Sequence, residues 1–231
     1  VEDILASNNS ISGLRVGSDT IVRKCVSRNN QDGYIFGLGC TITECTAYQN
    51  AQGLITFSVS CVISKCVAYD NGTNGIVVAS GSTISECVVR ENGLHGIQTG
   101  DGCTVVNCTA ERNSEDGFWI GTDCLVINNT SHNNGFDDDA AGIFVGGDGS
   151  RIEANHCNNN DKGIEVTGEN NYIVKNTCAD NTINYLFGIN NRYGPIINHT
   201  MTGTPGVSGD SASSFLGTTD PWANFANTSF P

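Results

Sequence analysis

Residues 90–124 read "RENGLHGIQTGDGCTVVNCTAERNSEDGFWIGTDC", and the stretch says nearly the same thing twice. Gly96, Cys103 and Cys108 are followed 21 residues later by Gly117, Cys124 and Asn129. Working outward, the glycine that opens each apolar pulse recurs as Gly13, Gly33, Gly53, Gly75, Gly96, Gly117, Gly142 and Gly163. The intervals are 20, 20, 22, 21, 21, 25 and 21 residues. A period of that length marks a solenoid, in which each repeat buries its apolar face against the next. After each glycine the apolar positions alternate, as in "GIVV", "GFWI" and "GIFV", with the period of a strand and not of a helix.

Counting the glycine as column 0, inward residues fall at columns 1 and 3, near 7 and 9, and near 12 and 14. In the coil opened by Gly33 these are Tyr34 and Phe36, Cys40 and Ile42, and Cys45 and Ala47. The pattern predicts an all-β chain: a right-handed parallel β-helix with three short strands per coil of about 21 residues. Coils stack at the inter-strand spacing of about 4.8 Å, and the handedness follows the general preference of crossover connections. Residues 1–184 carry the repeats, and residues 185–231 read as a last rung remnant and an irregular C-terminal cap. All four prolines (Pro195, Pro205, Pro221, Pro231) lie there, with Phe215, Trp222, Phe225 and Phe230 available to cover the last rung and its wall. At the other end Leu5 and Ser7 fit columns 12 and 14 of a coil that lacks its glycine, which implies an irregular cap or a longer polypeptide.

Before the glycines stand Asn30, Asn50, Asn71, Asn92, Asn113, Asn134, Asn160 and Asn181. Asparagine tolerates the left-handed conformation of a tight corner, and stacked amides bond to one another up a column. The eleven cysteines all fall in inward columns, and an odd number cannot pair completely. Stacked Cβ atoms about 4.8 Å apart are also wider than the roughly 3.8 Å of a disulfide, so the thiols are expected to be free and to pack as small hydrophobes. The alternative is zinc at the recurring Cys-x4-Cys pairs, Cys40 with Cys45 and Cys103 with Cys108, although these lack neighbouring histidines. Lys24, Glu44, Lys65 and Glu86 alternate in sign on adjacent rungs and read as register-marking pairs.

A net charge of -13 and a pI near 4.4 repel phosphate backbones and anionic membranes, so nucleic acid is not an expected partner. No apolar run approaches the roughly 18 residues of a membrane-spanning helix, and membrane insertion is not expected.

Function, if the chain displays it on a wall, belongs to the outward column 2 of the first strand: Arg15, Ile35, Ile55, Val77, Gln98, Trp119, Phe144 and Glu165. Its apolar members form a stripe that another subunit or the C-terminal tail would cover, or that would stack sugars through Trp119 and Phe144. Ile35, Ile55, Val77, Trp119 and Phe144 are therefore the candidate binding residues. The one enlarged loop, residues 133–142, carries Asp137, Asp138 and Asp139, with Asp116 and Asp161 at the same corner of neighbouring rungs. Carboxylates so clustered suit Ca²⁺, or an acid and a base for a glycosidic bond, against the alternative of a solvated acidic loop. Calcium is the one cofactor the residues suggest. His95, His132, His156 and His199 form no recognisable triad.

Four segments carry a resemblance: "GDGCTVVNCTA" (100–110), "RIEANHCNNNDKGIEV" (151–166), "NYIVKNTCADNT" (171–182) and the closing "TDPWANFA" (219–226). They resemble exported bacterial right-handed β-helix repeat proteins of the planctomycete and verrucomicrobial type. The resemblance implies the pectate-lyase-like superfold and a secreted or cell-surface location, but no established activity. The residue sets that mark polygalacturonase-like hydrolysis or alginate epimerisation (Asp-Pro-His-Asp) in such folds are absent. The leading expectation is thus a rigid exported scaffold, structural, adhesive or self-associating through its strand walls or coil ends, without catalysis of its own. The alternative is a polysaccharide-binding or polysaccharide-processing protein that uses the outer face of the first strand stack.

Overall fold

The computed structural model describes residues 1–135, 139–198 and 220–227. They form a right-handed parallel β-helix of three sheets, with no helix among the described residues. The first sheet stacks nine strands from Ser12–Val16 to Ile183–Phe187, and the second stacks nine from Ile21–Arg23 to Arg192–Tyr193. The third has eleven, from Leu5–Ser7 to Ile196–Asn198. Every pairing is parallel, and residues one repeat apart are Cα partners. Ile97 faces Phe118, Val105 faces Val126 and Ala110 faces Ser131 on the first, second and third sheets. The inward columns form one continuous core, with large side chains such as Tyr34, Leu54, Ile97 and Phe118 on the first sheet and small ones such as Ala47, Ala68 and Ala110 on the third.

The opening glycines are required by space. A methyl group on Gly96 would sit 2.6 Å from the Gly117 carbonyl oxygen, 2.8 Å from Asn113 Nδ2 and 2.8 Å from Val89 Cγ2. Adjacent rungs and the asparagine ladder close on this point together, and no side chain fits between them.

Each corner is built the same way, and here the structure corrects the sequence-based expectation. The left-handed residue is the one before the asparagine: Glu91 (φ 55°) precedes Asn92, and Arg112 (φ 52°) precedes Asn113. The other two corners follow suit, with Gly102 (φ 62°) before Cys103 and Asn107 (φ 55°) before Cys108. The left-handed residue turns the chain, and the following side chain swings into the interior where it caps backbone groups of its neighbours. Asn92 shows how: Asn113 Oδ1 accepts from its side-chain amide at 2.9 Å and its backbone N–H at 3.2 Å, while its amide also donates to the Ala68 carbonyl at 3.2 Å. The same contacts link Asn30 through Asn181.

All eleven cysteines are free and buried. Nine of them stand in corner columns that are ladders as well as packing, whereas Cys157 and Cys178 stack on each other inside the third-sheet strands His156–Asn158 and Thr177–Ala179. Cys87 Sγ accepts from the Cys66 backbone N–H at 3.5 Å, Cys124 Sγ accepts from that of Cys103 at 3.4 Å, and Cys87 Sγ lies 3.8 Å from the Ile63 carbonyl as donor. The column of Cys25, Cys45, Cys66, Cys87 and Cys108 then continues as Asn129, Asn155, Asn176 and Asn224, whose amides make the same bonds at shorter range. Burial pushes the Cys25 and Cys157 thiols up, away from ionisation.

Lys24, Glu44, Lys65 and Glu86 are themselves the left-handed corner residues of their rungs, with φ of 53–55°. They form no salt bridge with one another among the described residues; Lys24 pairs with Glu2 at 3.7 Å. The expected register-marking pairs are therefore not made, and all four side chains are exposed at their corners.

Past residue 185 the coil continues, as Ile183–Phe187, Arg192–Tyr193 and Ile196–Asn198 extend the three sheets. The closing motif then returns: Asn224–Asn227 inserts between Thr177–Ala179 and Ile196–Asn198 and pairs with both. Asn224 completes the corner ladder, and Trp222 lies on the wall over Lys175 (4.7 Å) and Arg151 (5.8 Å). Asp137, Asp138, His199, Pro205, Phe215, Phe230 and Pro231 lie outside the described residues.

Candidate functional site

The first sheet carries the column predicted from the repeat, in register from Arg15 through Ile35, Ile55, Val77, Gln98, Trp119, Phe144 and Glu165 to Leu186. It is less open than its outward direction implies. Ile55, between Ile35 and Val77, is only 1% exposed, and Ile35, Val77, Trp119 and Phe144 are half-buried. The Trp119 and Phe144 rings neighbour each other on adjacent rungs, with centroids 6.1 Å apart.

A second column, polar except at Ala141, runs beside it, made by the residue before each opening glycine: Ser12, Asp32, Gln52, Asn74, His95, Asp116, Ala141 and Lys162. Contacts cross between the two columns. Asn74 Nδ2 donates to Gln98 Oε1 at 3.2 Å, the His95 ring lies 6.4 Å from that of Trp119, and Lys162 Nζ donates to Glu165 Oε2 at 2.8 Å. His95 Nε2 is 3.3 Å from Glu115 Oε2, and its Nδ1 is 3.2 Å from Asp116 Oδ2 without the alignment of a hydrogen bond. Asp116 is buried, and its Oδ1 accepts from the Ala141 N–H at 2.7 Å. Asn74 Oδ1 accepts from the His95 backbone N–H at 3.1 Å. An imidazole thus lies between two carboxylates beside an indole, an arrangement able to bind hydroxyl groups and to relay protons.

On the other side of Trp119 a groove of about 500 Å³ opens. Val77, Gln98 and Trp119 form one wall, Gly100, Gly121, Gly146 and Gly147 line it without side chains, and Asp101 and Thr122 lie on its far side. Trp119 therefore borders both the groove and the His95 cluster.

The enlarged loop meets this face at Asp139, whose carboxylate lies 2.6 Å from Lys162 Nζ and whose N–H donates to Asp161 Oδ2 at 3.1 Å. Burial by itself lowers the Lys162 pKa, but the Asp139 and Glu165 carboxylates outweigh it and hold the ammonium above its ordinary range. The aspartates proposed for calcium are thus seen only in part, and the one described is engaged by a lysine. Among the described residues no group of three or more His, Cys, Asp or Glu side chains is arranged to hold a metal.

Sequence reasoning identified Trp119 and Phe144, placed Asp116 near the enlarged loop and Gln98 in the outward column without making it a candidate, but it set His95 aside for want of a triad and did not weigh Glu115. A signal existed. The corners from Asn71 to Gly75, Asn92 to Gly96 and Asn113 to Gly117 span one residue more than those from Asn50 to Gly53 or Asn160 to Gly163, on the rungs that carry the cluster.

A second aromatic feature lies on the third sheet, where Tyr48 and Tyr69 stack in parallel at 4.9 Å and Arg90 lies 4.5 Å from the Tyr69 ring. These faces are occupied by one another and offer no open platform.

A three-sheeted parallel solenoid with one outer wall combining aromatic, amide and carboxyl groups defines a parallel β-helix protein with a candidate site on its first sheet. The chain belongs to the family described as the right handed beta helix region, which matches residues 1–105 and 83–214. Among solved structures it is similar to the A-module of mannuronan C-5 epimerase AlgE4 from Azotobacter vinelandii. That likeness has a TM-score of 0.72 at 18% identity, over 84% of this chain and 65% of that one. The A-module of the epimerase AlgE6 from the same organism gives 0.67 at 18%, over 97% and 65%. Pectate lyase Pel9A gives 0.60 at 17%, over 97% and 68%. The chain spans less than two thirds of the epimerase modules' own length, and at these identities the likeness is one of fold. No curated protein sequence matches significantly.

Proposed function

We propose that this protein binds a polysaccharide, and acts on it, along the outer face of the first sheet. The observation that carries this is Trp119, set between an open groove and a histidine flanked by two carboxylates, with Phe144 one rung along. Aromatic faces stack on the C–H faces of sugars while amides and carboxylates take their hydroxyls, which suits a concave site with a few convergent polar groups. In processing, His95 is the group that would exchange a proton with the ligand, oriented by Asp116 and Glu115. Three similar solved structures, named as mannuronan epimerases and a pectate lyase, are proteins of polysaccharide chemistry and support this direction. The self-associating scaffold has less behind it, because the apolar stripe it needs is closed at Ile55. A polymeric glycan as ligand also favours a secreted or cell-surface location.

A glycan array and a polysaccharide-cleavage screen test the proposal on wild type, Trp119→Ala and His95→Ala. Binding that disappears with Trp119→Ala, and turnover that disappears with His95→Ala while binding persists, are expected. An array with no bound glycan contradicts the proposal; binding without turnover reduces it to a binding protein.

A further inference from the structure

We infer that the glycan this site takes is uncharged, and not a polyuronate. This rests on the proposal that the first-sheet face is a polysaccharide site, and it narrows the ligand by charge. All eleven Lys and Arg residues lie among the described residues, and only two belong to the first sheet, Arg15 and Lys162. Lys162 is consumed, with its ammonium at 2.6 Å from Asp139 and 2.8 Å from Glu165. Arg15 stands five rungs from Trp119 on the same ladder, roughly 24 Å at the usual strand spacing. Arg90 and Arg112, the arginines of the neighbouring rungs, leave from the third sheet and its corner and pair there with Glu91 and Glu111.

Around Trp119 the charged groups are instead acidic: Asp101 beside the groove, and Glu115 and Asp116 on the other side, with His95 between the last two. A polymer with a carboxylate on every unit would meet like charge on both sides of the indole and no guanidinium or ammonium to pair with, in a protein of net charge -13. Uncharged sugar units fit what is there. Gln98 and Thr122 offer amide and hydroxyl groups, the carboxylates accept hydroxyl protons, and Trp119 supplies the stacking face.

The test uses Trp119 as its own probe, in a Trp222→Phe background so that a single indole reports. The full chain is titrated with a neutral glucan, mannan and xylan, with polygalacturonate and alginate with and without Ca²⁺, and with chitosan, at low and high salt. A neutral glycan is expected to shift the Trp119 emission with an affinity that salt changes by less than about twofold, and Gln98→Lys is expected to create polyuronate binding. Preferential polyuronate binding at Trp119, with or without Ca²⁺, overturns the inference and leaves the polysaccharide site standing. Chitosan binding alone, abolished by salt, also overturns it. A Trp119 emission that no glycan shifts removes the polysaccharide site and the inference with it.

Discussion

Single side chains divide into those that hold the ladder and those that face the solvent. Gly96 belongs to the first group for want of space, and Gly96→Ala is expected to destabilise by about 1–3 kcal/mol through forced shifts of backbone and ladder. The cysteines most resemble chemistry in the sequence, and the structure gives them a structural part: nine of the eleven cap corners as an asparagine does at the same position further along, while Cys157 and Cys178 pack inside third-sheet strands. Cys108→Ala is then expected to cost roughly 1–2 kcal/mol. Cys108→Asn is expected to cost less, because it extends the amide ladder that begins at Asn129. Chemical denaturation of the two variants checks the order, and equal losses would reduce the cysteines to packing. At Trp119 the opposite outcome is expected: Trp119→Ala changes stability by about 1 kcal/mol or less, as a half-buried outward residue, while removing glycan binding.

Rungs, corners and ladders show what the sequence could reveal and what it could not. The glycine interval placed three sheets and every residue of the column from Arg15 to Glu165, because a strand repeat maps sequence distance directly onto register. Corner geometry was less legible. Which residue turns left-handed depends on backbone torsions that asparagine, glutamate, lysine and glycine all adopt here, so composition does not reveal it. The longer corners beside His95 were visible in the spacing, but a length difference does not reveal where a corner side chain projects. Asn224–Asn227 could not be placed by period, because it reaches its slot beside Thr177–Ala179 from outside the repeat. One inter-rung contact gives a pH prediction. Glu153 on the second sheet binds Lys175 at 2.7 Å from the next rung and Arg151 at 2.7 Å, and these two hold its pKa below the ordinary 4.5. A lowered carboxylate stabilises the fold above its unfolded pKa and loses that contribution as pH falls through its folded one. Both cations are well exposed, so Glu153→Gln is expected to cost at most about 1 kcal/mol at pH 7. In thermal melts the two proteins should converge well below pH 4.5, and a constant difference across that range would contradict the ion-pair account.

In the molecule as a whole the three stacked sheets offer three walls, and the proposed ligand lies along the first of them. The first wall has Trp119 and Phe144 beside the groove and the His95 cluster; the second presents Tyr172 and the Arg151, Glu153 and Lys175 group; the third presents the closed stack of Tyr48 and Tyr69. Among the described residues the excess negative charge lies in the corners and loops and not in the strands of any wall, so charge alone does not select a face; the aromatic, amide and carboxyl arrangement does. The most direct measurement is calorimetric titration of the best array glycan into wild type and three variants, one for each wall: Trp119→Ala, Tyr172→Ala and Tyr69→Ala. Trp119→Ala alone is expected to lower affinity, by roughly tenfold or more, equivalent to about 1.4 kcal/mol of lost contact. Full affinity in Trp119→Ala with loss in Tyr69→Ala or Tyr172→Ala would contradict it.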